Sequence, residues 1–344
     1  EYIAGTCPTN PGSYPHILTL DLDGASDIKA RVYMGSNRTY TIVGADAATN
    51  AKVAIGAALA GGMNEGTNEW IDSGAVTSTM QRFYGMSITY DGLAYTNTEE
   101  WAMFRQQRQS NCWYLVSPPV DLGVSNNLNS TLGRQLARGL APGTNASDAD
   151  GLYFMSSTGG WTSYWLSNVD TNWYDATNGL ANATLTAGMG AWVRRKAGAA
   201  ATSNAVFAGR TFTNTPALAF STNAGGWRIF GWPYARSKWH YNGGTNNLPA
   251  LTNTPLDRLG FWQAGARGGA TANPLMPTNH GDQIWIYDDN YWKKIYWLIN
   301  IGNTNYDGRW WDDRLGRFGN FSLEAGRAYY YHATTNFNWT PTND

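Results

Sequence analysis

The sequence predicts an all-β chain of tandem β-sandwich-like domains, two of them diverged copies of one unit, with long loops and few short helices. Three observations lead there. Aromatic residues are abundant, with 17 Trp, 20 Tyr and 11 Phe in 344 residues, and aromatic side chains favour strands. Glycine is plentiful at 39 and is interspersed with Asn, Asp and Ser, the residues that build turns. One ordered set of sequence features also occurs twice in the C-terminal two thirds.

Residues 1–105 read as a separate small β-rich domain carrying a donor or docking strand. Ile17 to Leu22 alternates so that Leu18, Leu20 and Leu22 share a face. Further strands are expected over Arg38 to Val43, Glu69 to Ile71 and Gln81 to Tyr90. Ala47 to Leu59 fits a short helix or a small-residue loop, and Thr98 to Arg108 fits a strand leading onward.

The duplication divides the remainder into 106–211 and 212–344. Asp150 to Ser157 matches Asp282 to Asp289, and Tyr164 to Asn168 matches Tyr296 to Asn300, both at an offset of 132 residues. Trp113 to Pro118 precedes the first pair as Trp227 to Pro233 precedes the second. Leu132-Gly-Arg134 resembles Leu256-Asp-Arg258, Leu185 to Gly188 matches Leu323 to Gly326, and Ala191 to Val193 matches Tyr329 to Tyr331. Leu132, Leu136 and Leu140 lie four apart and predict a short helix. Tyr153 to Met155 and Ile284 to Tyr287 are continuously apolar, as strands covered on both faces are. Gly159-Gly160 and Asp288 to Asn290 suit hairpin turns, and Tyr241 to Asn247 a long loop.

Composition excludes several functions. Charged residues are 14%, against about a quarter in an ordinary globular chain, and the net charge is −1. The densest basic cluster is Arg194-Arg195-Lys196, too small to track a phosphate backbone, so no nucleic-acid partner is expected. No apolar run approaches the ~18–20 residues of a membrane span. Weak charge repulsion permits dense self-association. Two cysteines, Cys7 and Cys112, exclude a disulfide-dense scaffold and leave either one bridge or two buried thiols. A start at Glu1 fits an exported chain that has lost its signal, or an expressed fragment.

Arg82-Phe83-Tyr84, following Tyr40 to Ile42 and Trp70 to Gly74, resembles the β-domains of uncharacterised secreted paralogous proteins from planctomycete- and verrucomicrobium-type bacteria. The order of strand-Pro, Asp-led strand, Trp-bearing strand and Ala-Gly-aromatic strand over 106–344 is similar to that family as well. The chain departs from the pattern at Gly85-Met86, where Arg-Val is usual. The resemblance implies export and a cell-surface or extracellular setting, and it transfers no catalytic residues.

No reactive constellation emerges. His16, His240, His280 and His332 show no metal-binding spacing, and nucleophile-elbow, phosphate-loop and dinucleotide motifs are absent. Glutamate is scarce and no pairing of carboxylates is legible. Asp21, Asp23 and Asp27 superficially suggest a calcium loop but lack its bidentate glutamate. Turn capping accounts better for them, and for Asp148, Asp150, Asp312 and Asp313. No cofactor and no enzymatic activity are expected.

Two functions remain. The first is a self-assembling subunit of an extracellular filament or surface layer, with copies of itself as partner and Ile17, Leu18, Leu20 and Leu22 as assembly strand. The alternative is a carbohydrate-binding surface protein that stacks glycans on Trp165, Trp173, Trp297, Trp310 and Trp311. Burial of these tryptophans in the core is the competing reading.

Overall fold

The computed structural model describes residues 15–35, 38–46, 51–60, 66–90, 93–96, 101–122, 126–156, 159–200, 202–212, 217–234, 238–240, 259–271, 280–288, 291–303, 305–319 and 321–341. The fold is predominantly β, and none of the described helices is long and apolar enough to cross a membrane.

The N-terminal strands are β1 (His16–Asp23), β2 (Asp27–Met34), β3 (Thr39–Ala45), β4 (Val53–Ala54), β5 (Leu59–Ala60), β6 (Gly66–Asp72), β7 (Gln81–Tyr90), β8 (Leu93–Thr96) and β9 (Trp101–Gln109), with one turn of helix, α1 (Ala75–Ser78), before β7. The middle segment supplies β10 (Trp113–Val116), β11 (Val120–Asp121), α2 (Thr131–Ala137), β12 (Gly151–Met155), β13 (Trp161–Leu166), β14 (Trp173–Asp175), β15 (Ala191–Arg194) and β16 (Thr202–Thr211). The last segment supplies β17 (Leu218–Phe220), β18 (Trp227–Gly231), β19 (Lys238–His240), β20 (Gln283–Asp288), β21 (Tyr291–Leu298), β22 (Trp310–Asp312), β23 (Arg317–Phe318), β24 (Phe321–Leu323), β25 (Ala328–His332) and β26 (Phe337–Trp339). The segment Ala47 to Leu59, where it is described, yields the short strands β4 and β5 in place of a helix.

Of the six sheets that the described residues form, four stack face to face, and β17-β26 and β19-β24 make two small ribbons. Sheet I has the order β1-β2-β6, and sheet II the order β11-β16-β9-β7-β3-β4 with β5 on β3 and β8 on β7. Sheet I places Ile28, Ala30, Val32 and Ile17 against Tyr84, Met86, Met103 and Val206 of sheet II, an ordinary sandwich core. The alternate side chains of sheet II, Phe83, Ala102, Phe104 and Phe207, pack instead on α2 and on Leu152, Phe154 and Val193 of the next layer. Period-two alternation thus gives sheet II two buried faces. Sheet III (β10-β15-β12-β13-β14) follows, and its outer face meets sheet IV (β18-β25-β20-β21-β22-β23). Behind sheet IV lies an aromatic core in which Phe220, Phe230, Phe261, Tyr331, Phe337 and Trp339 bury one another.

The expected boundary near residue 105 falls inside β9. β16 returns to pair with β9 from Thr202↔Gln109 to Arg210↔Trp101, so the segments 1–105 and 106–211 share sheet II. Reading contiguous segments does not reveal a pairing that spans about a hundred residues of chain. The unit built within the middle segment is β10 to β15.

Sheets III and IV share one order over five strands, and their registers agree except at the end of the β20–β21 hairpin, where a shift between Ile286 and Tyr287 pairs Tyr287 with Trp292. Trp113↔Arg194 in sheet III stands where Trp227↔His332 stands in sheet IV. Gly151↔Trp165 likewise corresponds to Gln283↔Trp297, and Leu166↔Trp173 to Leu298↔Trp310. The match Leu132-Gly-Arg134 with Leu256-Asp-Arg258, the Asp289-Asn290 part of the second hairpin turn and the loop Tyr241 to Asn247 lie wholly or partly outside the described residues.

The seam between sheets III and IV is self-complementary. Ser117 N–H donates to Gly326 C=O (3.2 Å), and its counterpart Gly231 N–H donates to Gly188 C=O (2.9 Å). The approach is close: a Cβ on Gly190 would lie 2.4 Å from Ile229 Cγ2 and 2.6 Å from Ala328 Cβ, and one on Gly231 would lie 1.9 Å from Ser117 Oγ.

Candidate functional site

Two features stand apart from the packed layers. The first is an open sheet edge. No strand among the described residues pairs with the outer edge of β1, and a groove of 640 Å³ runs along it. His16 to Asp21 line one wall, and Trp101, Asp121, Gly209 and Arg210 of sheet II, with Leu122 and the α2 residues Thr131 and Arg134, line the other. The neighbouring edge of β16 is covered. β11 pairs with part of it, and the buried Gln135 side chain of α2 donates to Ala208 C=O (2.8 Å) and accepts from Ala208 N–H (3.1 Å), as a further strand would.

The structure corrects the assembly-strand expectation in two ways. β1 is already paired with β2 and contributes Ile17 and Leu20 to the core, so it is not a free donor strand. A register shift between Ile17 and Thr19 places a bulge at Leu18, so Ile17 and Leu20 are buried while Leu18 and Leu22 are half-buried. Alternation alone put Leu18, Leu20 and Leu22 on one face because a bulge leaves no mark in the hydrophobic pattern.

The second feature is an aromatic cleft of 360 Å³ at the seam, lined by Trp113, Tyr153, Trp161 and Trp192 of sheet III with Tyr287 and Trp292 of sheet IV. Three of these are large apolar side chains open to solvent: Trp113 (36%), Trp161 (49%) and Trp292 (39%). Trp192 forms the floor. Its indole N–H donates to Tyr330 Oη (3.0 Å), and its ring meets Trp113, Tyr287 and Trp292 edge-on at 88°, 83° and 80°. Burial pushes the Tyr330 hydroxyl up to about 12, and the Tyr287 hydroxyl is raised by burial first and by nearby Cys112 second. The Arg194 guanidinium lies 5.8 Å from the centre of the Trp113 ring at the rim. Compared with protein-family models, curated proteins and solved structures, the chain matches none.

The five tryptophans expected to stack glycans are mostly elsewhere. Trp165, Trp173, Trp297 and Trp310 are buried, and Trp311 is half-buried against Trp297 and Phe318. Trp173 donates to Gly133 C=O (3.1 Å) beneath α2, and Trp165 donates to Asp175 C=O (3.1 Å) while stacking on Tyr174. Their matched positions mark shared packing, and the sugar-stacking assignment is withdrawn for the buried four. The cleft residues were legible as strand residues only. Which face of a two-sided strand stays open depends on the layer beyond it. Cys112 is half-buried, and Cys7 lies outside the described residues.

The matched aspartates are structural cross-links. Asp150 accepts from Ala141 N–H (2.9 Å) and Lys196 N–H (2.8 Å), with Arg195 Nε at 3.6 Å. Asp282 accepts from Arg267 N–H (3.1 Å), Thr334 N–H (2.7 Å), Thr334 Oγ1 and Tyr331 Oη (3.1 Å). Asp27 caps a turn, accepting from Gly74 N–H (2.8 Å) and Ser26 Oγ (2.7 Å), and those bonds hold its carboxyl low. Among the described residues no three His, Cys, Asp or Glu side chains converge as metal ligands.

Proposed function

We propose that this protein is a secreted, non-enzymatic structural subunit that joins further copies of itself into an extracellular filament or surface layer by adding an extended strand to the edge of β1. One observation carries the reading: over Ile17 to Leu20 the edge of β1 has no partner strand among the described residues and faces a strand-sized groove, while the adjacent β16 edge is covered by β11 and Gln135. An uncovered edge is a template for main-chain pairing, and natural folds otherwise blunt it. Low charge and the family resemblance support dense packing outside the cell. The common strand order and the exchanged bonds of the seam support descent of the two C-terminal units from one self-associating unit.

Sedimentation velocity and electron microscopy of the purified chain test the proposal. Species larger than a monomer should grow with concentration. Thr19→Pro, at an exposed position of the edge, should shorten or abolish them without changing the far-ultraviolet dichroism. A wild-type chain that stays monomeric into the high micromolar range would falsify the reading.

A further inference from the structure

The aromatic cleft has a chemistry of its own, independent of the strand edge. Its volume of 360 Å³ falls in the range of small-molecule sites. Its six lining residues are all tryptophan or tyrosine. Among the described residues no serine, threonine, asparagine, glutamine or carboxylate lines it, and the Trp192 N–H is already committed to Tyr330. The Tyr153 and Tyr287 hydroxyls and the remaining indole N–H groups are few partners for a sugar, whose other hydroxyls would lose bonds made to water.

The ring orientations select a different ligand. Trp192 stands at 88° to Trp113, 83° to Tyr287 and 80° to Trp292, and Tyr287 stands at 75° to Trp292. Faces turned in several directions make a poor platform for a flat ring, but they surround a compact cation with negative quadrupole density. A quaternary ammonium suits such walls because it has no N–H to satisfy and spreads its charge over methyl groups. A cation, Arg194, stands over Trp113 at the rim. It opposes a bare cation and favours one tethered to an anion.

We infer that the cleft binds a trimethylammonium group carried beside an anionic group, as in phosphocholine. Two units build the site, four residues from sheet III and two from sheet IV, so it exists only when the seam is closed.

Titration calorimetry of the full chain with phosphocholine and with its neutral-carbon isostere, 3,3-dimethylbutyl phosphate, tests the inference. Phosphocholine should saturate the protein, and the isostere should bind at least tenfold more weakly. Trp292→Ala should abolish binding and Trp292→Phe should retain most of it. Trp161→Ala, altering a half-exposed rim residue, should weaken binding severalfold with the fold unchanged by circular dichroism. Arg194→Gln should weaken phosphocholine but not tetramethylammonium. Equal binding of the isostere, absence of saturation, or binding of a methyl glucoside in place of phosphocholine overturns the assignment.

Discussion

Sheets III and IV hold one order over five strands and one register up to Ile286, yet they stabilise it with different chemistry. In both, an aspartate just ahead of the inner strand ties down two loops: its N–H donates to the carbonyl of Ala141 or Arg267, and its carboxylate accepts the N–H of Ala141 and Lys196 or of Arg267 and Thr334. Behind Asp150 the compensation is ionic. Arg195 is buried with it, and Arg108, also buried, has three guanidinium nitrogens without hydrogen-bond partners. Burial first, and the Arg195 charge second, hold the Arg108 guanidinium down to about 9. Behind Asp282 the compensation is neutral, from Tyr331 and Thr334. Burial there outweighs the hydrogen bonds and raises the carboxyl above its usual value. The comparison teaches that backbone bonds to the aspartate define the frame, while charge balance is free to drift.

The largest test breaks the ionic side. Asp150→Ala deprives the buried Arg195 guanidinium of its ion pair and should cost about 3–5 kcal/mol in urea unfolding. Asp282→Ala removes acceptors without stranding a charge and should cost about 1–3 kcal/mol; equal losses would show that the charge at Asp150 is immaterial. Arg108→Met should stabilise by about 1 kcal/mol or more, because it removes a buried charge that has no hydrogen bonds.

The smallest effects are slopes with pH. The raised Asp282 favours its protonated form in the fold. Its contribution is therefore complete below the usual 3.8 and lost as pH rises through the folded value, and Asp282→Asn should flatten stability over that window. His332, which occupies the position of Arg194, behaves oppositely. Burial, and then His280 at 3.2 Å, lower its pKa, so the stabilisation is complete above the usual 6.5 and lost as pH falls through the folded value. Thermal melts of His332→Gln between pH 7 and 5 should lose that slope.

Much of this architecture was legible. Strand patterns, turns and the repeated order located Gln81–Tyr90 to the residue, placed α2 and the hairpin at Gly159-Gly160, and gave the offset that Asp150 and Asp282 share. The candidate sites were less so. β2 and β16 escaped notice, the bulge at Leu18 put Ile17 in its place on the core face of β1, and the cleft tryptophans were not singled out.

The sequence by itself determined which segments become strands, because period-two alternation, aromatic content and turn residues act over a few neighbours. Tertiary structure alone decided which sheet each strand joins, which edge stays open, and which tryptophans face solvent. Those outcomes depend on partners far along the chain: β16 returning to β9, Gln135 reaching Ala208, and sheet IV closing over one face of sheet III.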